Sequence, residues 1–550
     1  MQGDLHPNPH FRSALAIVRR LRDANHQAFF AGGCVRDLLL GLAPKDFDVA
    51  TSATPGEIVA LFPKSFTVGA HFGVVLVVSE QDESGAVCQS VTEEEKKNNV
   101  SGPREIATEV ATFRNDGAYS DGRRPDAVRF STDPREDVLR RDFTINGMLL
   151  DPLEYEATGD LTSATLDFVH GREDLAARII RAIGDPSLRF AEDKLRMLRA
   201  VRFAARLNFQ IDAATAIRRH AAEIALVSAE RIRDELTRIL TEGGARRGFE
   251  LLFNLGLLAE VLPEAVRLRG VAQPPEFHPE GDVWTHTMLM LEKLGPASPS
   301  SLPSREASRT ARSASREASS TARSARVPHP FAASSRKGGT QALEQPSSPA
   351  KPISPTLAWA ALLHDIGKPA TYQPPKPATL GSNEKPDRIR FNGHVEAGVR
   401  IAETILARLR FSGDDTAQIL SLVANHMRFG DVLQMKQSTL KRFLRLPRFD
   451  EHLALHRLDA ISAHGDLTCY DFARAHFEAE PTPDLRPAPL LTGRDLIAAG
   501  YRPSPQFKPM LALAEDAQLE GSITTPGQAL ALVQATYPRP SISPNPTPRK

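Results

Sequence analysis

Two regimes of apolar spacing divide the chain. Up to about residue 150 the apolar positions come in short runs. "GVVLVV" (73–78) and "REIATEVATFR" (104–114) have the length and spacing of strands. Asp46-Phe47-Asp48-Val49 alternates polar and apolar, and on a strand residues i and i+2 share a face. Asp46 and Asp48 are therefore expected to project together while Phe47 and Val49 enter a core. In "EVATFR" the same alternation puts Glu109 and Ala111 on one face and Val110 and Thr112 on the other. Cys34 to Leu40 reads as a short helix. From residue 170 to 265 the period becomes helical, through "AEDKLRMLRAVRFAARL", "SAERIRDELTRILTE" and "GFELLFNLGLLAEVL". Ser228 heads the second of these with Arg231, not an acid, three residues on. That is a cap without a full capping box. Helical patterns resume at "TLAWAALLHDIGK" (356–368) and run to about 480, and prolines at 481–489 precede a last helical piece, 490–537.

Two stretches break the pattern. Residues 79–103 are polar and read as a long mobile hairpin loop. In the other, "SREASRTARSA" (304–314) is repeated almost unchanged as "SREASSTARSA" (315–325), between flanks rich in Ser, Pro, Ala and Arg. Residues 296–356 cannot bury a core and are expected to be a disordered insertion. It reads as an expanded linker, although its arginines also suit a basic arm against RNA. The expected organisation is an α/β domain at 1–150, a helical segment at 151–265, a helical domain at 266–480 interrupted by 296–356, and a helical tail at 481–550.

Composition narrows this picture. The chain has 550 residues, 41% hydrophobic and 25% charged, as in ordinary globular proteins. No apolar run approaches the length of a membrane span, and the first residues lack a signal-peptide core. Cys34, Cys88 and Cys469 are far apart and form no CxxC pair, so a reducing cytoplasmic setting is expected. The net charge is +1, so any nucleic-acid surface must be a local patch. Residues 189–247 offer one, with 13 Lys/Arg against 8 Asp/Glu.

The chemistry begins in "AGGCVRDLLLGLAPKDFDVA" (31–50). Unpaired neighbouring carboxylates repel, and a divalent cation turns Asp46 and Asp48 into a metal site. Gly32 and Gly33 let backbone approach a ligand, the helix after them can face an anion, and Arg36 stands in its first turn. Together these suit a magnesium–triphosphate complex. A neighbouring strand could bring in Glu109 as a third carboxylate. In "RRDFTINGMLLD" (140–151), Arg140 and Arg141 suit phosphates or, equally, surface salt bridges. In "EDKLRMLRAVR" (192–202), Asp193, Arg196, Arg199 and Arg202 recur every three residues along one drifting helical face. An ordinary salt-bridged helix looks like this too. But an aspartate accepting from an exocyclic amino group, beside an arginine donating to a ring nitrogen, would select cytosine and adenine over uracil and guanine. In the second half, "HPEGDVWTHTM" (278–288), "LLHDIGK" (362–368) and "HRLDAISAHGD" (456–466) supply His286, His364, Asp365 and Asp459 as divalent-metal ligands. His394 and His426 could add a second metal.

With these residues in place, the sequence resembles the class II tRNA nucleotidyltransferases, the CCA-adding enzymes of the poly(A) polymerase/CCA-adding family, with a fused HD domain. The motifs are "GGCVRD", "KDFDVATSATP", "EVATFRNDGAYSDGRRP", "RRDFTIN", "EDKLRMLRAVRFAARLNF" and "AERIRDEL", in the family's order, followed by "HPEGDVWTHT" and "LLHDIGKP". The resemblance implies an α+β fold. A polymerase-β-like nucleotidyltransferase α/β head precedes an all-helical neck, an HD body and a tail. It implies that Asp46 and Asp48 hold Mg2+ with Glu109 as third carboxylate, and that Gly33 and Arg36 contact phosphates. Arg140 or Arg141 would hold the nucleotide, Asp193 and Arg196 would read the base, and Arg199 and Arg202 would support that site. The implied partners are the tRNA 3′ end, CTP and ATP, with no membrane. The implied reaction is in-line attack of the tRNA 3′-hydroxyl on the α-phosphate, pyrophosphate leaving. The HD residues imply a second divalent metal and a phosphohydrolase activity. The alternatives are a bacterial poly(A) polymerase, an enzyme adding only CC or only A, or a protein whose main activity is HD phosphohydrolysis. Bacterial poly(A) polymerases share the head and neck motifs but carry a very basic C-terminus and no intact HD set, the reverse of this chain. The oligomeric state is left open by the sequence.

Overall fold

The structure is a computed structural model that describes residues 8–68, 73–81, 87–88, 104–116, 128–295, 352–375, 387–479 and 487–538. The repeat-bearing stretch up to residue 351, most of 79–103 and the last twelve residues lie outside these. Two compact units emerge, one running to Val266, the other built from Arg267–Leu294 and Ile353–Lys550.

The first unit is organised on a mixed sheet. Its strands are β1 Ala28–Ala31, β2 Asp48–Thr51, β3 Ser65–Thr67, β4 Val74–Gln81, β5 Val87–Cys88 and β6 Arg104–Thr112. After a separate hairpin of β7 Arg114–Asp116 and β8 Val128–Phe130, the sheet is completed by β9 Leu149–Leu150 and β10 Thr165–Leu166. The order is β10-β9-β1-β2-β6-β4-β3, with β5 on β4. In this sheet β2 and β6 pair in parallel, whereas β1 pairs antiparallel with β2 and β9, and β4 with β6. The two runs expected as strands are strands. The sheet nevertheless passes the expected boundary at 150, because β10 pairs with β9. The segment expected to be all helical also holds β11 Ile179–Ile180 beside β12 Gln210–Ile211. Part of the expected 79–103 loop is strand as well, since β4 extends to Gln81 and pairs with β5.

The sheet is sealed on one side by the helix Pro9–Asp23. Asn8 starts it by accepting from the amides of His10 and Phe11. From this helix Phe11 packs edge-on against Phe30 and Phe47, with centroids 5.6 and 5.5 Å away. Phe47 and Val49 are buried, as their alternation requires. Locking these two inward forces Asp46 and Asp48 to the opposite side.

In the second unit the helices Val283–Lys293, Pro355–Leu363, His394–Arg408, Gly413–Asn425 and Phe449–Ser462 surround the His-Asp pair. His364 and Asp365 are not inside a helix, as the pattern suggested. They follow the last residue of Pro355–Leu363, in a turn that ends at Gly367. The helix starting at Pro355 also shortens the expected insertion, which was drawn to 356. The turn exists because the chain passes against the His394–Arg408 helix. A Cβ on Gly367 would stand 2.1 Å from the His394 carbonyl oxygen and 2.5 Å from the Gly398 nitrogen. The tail forms three helices, Gly493–Ala498, Phe507–Leu519 and Pro526–Thr536, around a core that includes Leu496, Tyr501 and Met510.

Gly367→Ala is expected to destabilise this unit by about 3 kcal/mol, because the clash is with backbone that cannot rotate away. Gly413→Ala, whose Cβ would meet open space, should leave stability close to the parent. Chemical denaturation compares the two, and parent-like unfolding of Gly367→Ala would show that the contact yields.

Candidate active sites

A cleft of about 630 Å³ opens in the first unit, lined by residues of the Gly33–Leu39 helix, the Asp46–Asp48 stretch, the Arg140–Asp142 turn and the helices Leu195–Leu207 and Ala229–Thr241. Asp48 is the first residue of β2, opposite Ala31 of β1. The parallel register of Val49 with Val110 sets Glu109 beside it. Asp46 is not on the strand, contrary to the alternation. β1 ends at Ala31 and Gly32 (φ +75°) turns the chain away, so residues 46 and 47 have no partner strand there. Asp46 still lines the cleft with Asp48, whereas Glu109 is exposed and outside the lining. Burial, then the charges of Asp46 and Glu109, push the Asp48 carboxyl up to about 7, with Arg141 opposing. Such a carboxyl takes a cation in place of its proton. Nearby Cys34 is pushed up to about 12 by burial and Asp48 and is an inert thiol.

The arginines are tied down. Arg36 is buried, with Nε 2.8 Å from Asp37 Oδ1 and Nη1 2.7 Å from Asn146 Oδ1. It lines the cleft where a phosphate contact is expected of it, and Asp37 and Asn146 fix its orientation there. Gly33 lines the cleft beside it. Arg140 and Arg141 share Asp137, at 2.9 Å and 2.8 Å. Burial works against the Asp137 charge, but the two arginines outweigh it and hold its pKa below the ordinary value.

"EDKLRMLRAVR" is not one helix. Pro186–Glu192 ends before Asp193, whose Oδ1 accepts from the Leu195 amide, and a new helix runs Leu195–Leu207. Asp193 thus stands at the mouth of that helix, and its Oδ2 is held 2.8 Å from Arg231 Nη2. Arg196 Nη1 donates to Glu192 at 2.7 Å, Arg199 Nη2 to Asp142 at 2.6 Å, and Arg202 Nε to Glu235 at 2.7 Å. All four expected residues line the cleft. The pattern missed Asp137, Asp142, Phe203, Arg206 and Arg231. Arg206 extends the Arg series by one turn, and Asp137 lies three and four residues before the Arg pair, so both carried a local signal. Arg231 carried none, because it comes from another helix. Phe203 is sandwiched among Arg36, Arg199 and Arg202, whose guanidinium carbons lie 4.3–5.5 Å from its ring centre.

A second cluster belongs to the second unit. Candidate metal-holding groups are His286–His364–Asp459, Asp365–His394–His426 and His278–Glu280–His286. Every expected ligand falls in one of them; His278 and Glu280 were missed, although the quoted "HPEGDVWTHTM" contains both. His364, His394 and His426 each point Nδ1 at a backbone carbonyl three residues earlier, at 3.0, 2.9 and 2.7 Å. Glu280 Oε1 takes Nδ1 of His286 at 2.6 Å. The Nε2 atoms of all four are buried without a hydrogen-bond partner. A ring whose Nδ1–H is spent on an acceptor offers a bare Nε2 lone pair, the form that binds metal. These residues therefore fit a divalent cation. Burial, then the charge of His364, lowers His426 to about 4, so it is neutral at pH 7. Burial also opposes charge on His286, but the Asp459 and Glu280 carboxylates beside it outweigh this and, with no cation bound, raise it to about 9, so a cation there takes the place of a proton. A cleft of about 600 Å³ opens on the cluster, with Lys368, Arg388, Arg390 and Phe391 in its walls.

Three family profiles match the chain: the Poly A polymerase head domain over 28–181, the probable RNA and SrmB-binding site of polymerase A over 208–268, and the HD domain over 351–462. A CCA-adding enzyme of Geobacillus thermodenitrificans is 39% identical over 251 residues, 45% of this chain and 54% of that protein. One from Lactobacillus johnsonii is 34% identical over 288 residues, covering 51% and 64%. The chain thus spans about half the length of the first of these curated relatives. The crystal structure of the Bacillus stearothermophilus CCA-adding enzyme in complex with CTP superposes with a TM-score of 0.60 at 22% identity, over 96% of this chain and 98% of that one. At that identity the likeness speaks for the fold: a polymerase-β-like head and a mostly helical remainder. Among the described residues no helix is long and apolar enough to cross a membrane.

Asp48 makes the first cleft sensitive to pH. Its folded-state pKa lies above the unfolded value, so the metal-free fold pays nothing at low pH and is progressively penalised from about pH 4 to about pH 7. Asp48→Asn should therefore melt higher than the parent at pH 8.5 in chelator, by several degrees, with the gap closing below pH 5. Added magnesium should stabilise the parent more than the variant, because the second unit's candidate site is common to both. Equal melting curves across this range would mean that Asp48 is not under strain from its neighbours.

Proposed function

The chain belongs to the nucleotidyltransferase family that unites CCA-adding enzymes and poly(A) polymerases, here with a fused HD domain, and on that premise we propose that it adds C, C and A in turn to the 3′ end of tRNA. CTP and ATP are the donors, no template is used, and pyrophosphate leaves. The observation that carries this reading is the convergence of Asp46, Asp48, the Arg140–Arg141 pair, Asp193 and Arg196 on one cleft. The naming of its relatives as CCA-adding enzymes supports it over poly(A) polymerase.

In this reading Asp46 and Asp48 hold magnesium, with Glu109 tuning Asp48 from the neighbouring strand. The bound cations supply activation of the tRNA 3′-hydroxyl and relief of charge on the departing pyrophosphate. Arg140 and Arg141, pre-set by Asp137, bind the triphosphate, and Gly33 lets it approach the backbone. Asp193 accepts from the exocyclic amino group of cytosine or adenine and Arg196 donates to the adjacent ring nitrogen. Arg231 and Glu192 fix these two side chains before a nucleotide arrives. Arg199 and Arg202, anchored on Asp142 and Glu235, support the base site from the same helix. Arg36, braced by Asp37 and Asn146, contacts the phosphates beside Gly33. The setting that fits a tRNA substrate is the cytoplasm.

The second unit supports a second activity, a metal-dependent phosphohydrolase. The histidine Nε2 atoms without partners and the cationic walls of the cleft above them favour a phosphate ester as its substrate, with a 2′,3′-cyclic nucleotide as the probe.

Sequencing tRNA 3′ ends after incubation with CTP, ATP or both tests the main reading. Asp46→Asn and Asp48→Asn should bind tRNA but add almost no nucleotide; near-normal extension by either in magnesium would remove the proposed metal site. Arg196→Ala and Asp193→Ala should lose discrimination against UTP and GTP by about tenfold or more, the scale of a base contact worth about 1–3 kcal/mol. Unchanged selection in a four-nucleotide competition would remove the base-reading role.

A further inference from the structure

A phosphate group beside a cation would fill only part of the second unit's cleft. Its volume of about 600 Å³ is of the size that encloses a drug-sized ligand. Asp365, Lys368, His394, His426 and Asp459 line it, and so do Pro274, Phe277, Ile389, Met427 and Ala463. Neither metal nor phosphate chemistry has a use for the second set. Exposed large apolar side chains are ordinarily scattered singly. Here Phe277, 47% exposed, and Met427, 54% exposed, line one cleft. Each adjoins a histidine of the cluster in sequence, Phe277 before His278 and Met427 after the buried His426. The backbone that directs those imidazoles to the cluster therefore also fixes the two apolar side chains beside it. The Arg388 guanidinium carbon lies 5.7 Å from the Phe277 ring centre, within cation–π range, and the ring is still about half exposed.

We propose that Phe277 and Met427 form a nucleobase subsite, so that the second unit selects nucleoside phosphates among phosphate esters. The inference rests on the phosphohydrolase reading for its chemistry and adds what chooses the substrate. A base is a flat ring with an apolar face and a polar edge. The face stacks on Phe277, as bases stack on the aromatic side chains of single-strand binders whatever the sequence. The flexible thioether of Met427 packs against rings of either size. Asn392 and His464, in the same lining, suit the edge. The Asn392 amide both donates and accepts. His464 Nδ1 accepts from the Asp466 amide at 3.0 Å, so the neutral ring keeps its proton on Nε2 and presents a donor. An aliphatic ester would have no flat face for Phe277 and no polar edge for these two groups.

The test compares adenosine 2′,3′-cyclic phosphate with the base-free methyl riboside 2′,3′-cyclic phosphate on the full-length chain in magnesium. The methyl groups of its eight methionines are labelled with carbon-13 and followed by nuclear magnetic resonance. The Met427 signal is the one missing from Met427→Leu, and it reports on this cleft whatever binds in the first unit. The expected result is an upfield ring-current shift of that signal with the adenosine ester and none with the base-free ester. The adenosine ester should also be cleaved with a KM about tenfold lower, the scale of one base–aromatic stack. Phe277→Ala should raise its KM about tenfold with kcat nearly unchanged, the mark of lost substrate binding, and Phe277→Trp should restore it. Cleavage with Met427 unmoved, or an equal shift with the base-free ester, overturns the base subsite and leaves the phosphohydrolase reading standing. A Met427 shift confined to the adenosine ester, without cleavage, keeps the subsite and overturns the phosphohydrolase reading. Neither shift nor cleavage overturns both.

Discussion

Nine arginines line the cleft of the first unit, and each is bonded or ion-paired to a carboxylate. This is the constraint on which the rest of the cleft depends. Guanidinium groups packed so closely repel, and removing them from water is costly unless partners are at hand. The partners are fewer than the arginines, because Asp37, Asp137 and Glu235 each serve more than one. Sharing leaves the wall net positive while every side chain is still held in place. An anionic ligand therefore meets a surface already organised to receive it, and little ordering remains to be done on binding.

The carboxylate side of the cleft has the opposite character. Asp46, and Glu109 from the strand behind, crowd Asp48, with Arg141 opposing them. One wall carries an excess of positive charge and the other an excess of negative charge. A triphosphate carried on a divalent cation satisfies both at once, which neither partner does alone. Phe203 stands at the seam of the arginine wall. It offers its ring to three guanidinium groups where further carboxylates would cancel the positive field.

The second unit solves a different problem with direction instead of charge. Three of its histidines, His364, His394 and His426, are fixed by backbone carbonyls three residues back. Helix ends leave carbonyls unsatisfied, so ending a helix at His364 or His426 both caps a carbonyl and aims Nε2. The close approach at Gly367 serves the same purpose, because it stops the first helix where His364 and Asp365 must face inward.

Much of this was legible in the residues. Alternation around Phe47 and Val49 oriented Asp48 before any fold was known, and the run at 104–114 gave the strand that carries Glu109. The Arg series at 196, 199 and 202 marked one face of a helix, because spacing within a helix is a local property. The histidine and aspartate ligands could be chosen by type alone. Tertiary structure decided the rest. The helix break at Asp193 comes from side-chain capping, which periodicity does not register. The end of β2 at Asp48 follows from where its partner β1 turns away. Arg231 reaches Asp193 from 38 residues away, and Asp365 gathers histidines from two other helices. Such pairings depend on which elements the core brings together, and burial selects those through contacts distant in sequence, where no local spacing can record them.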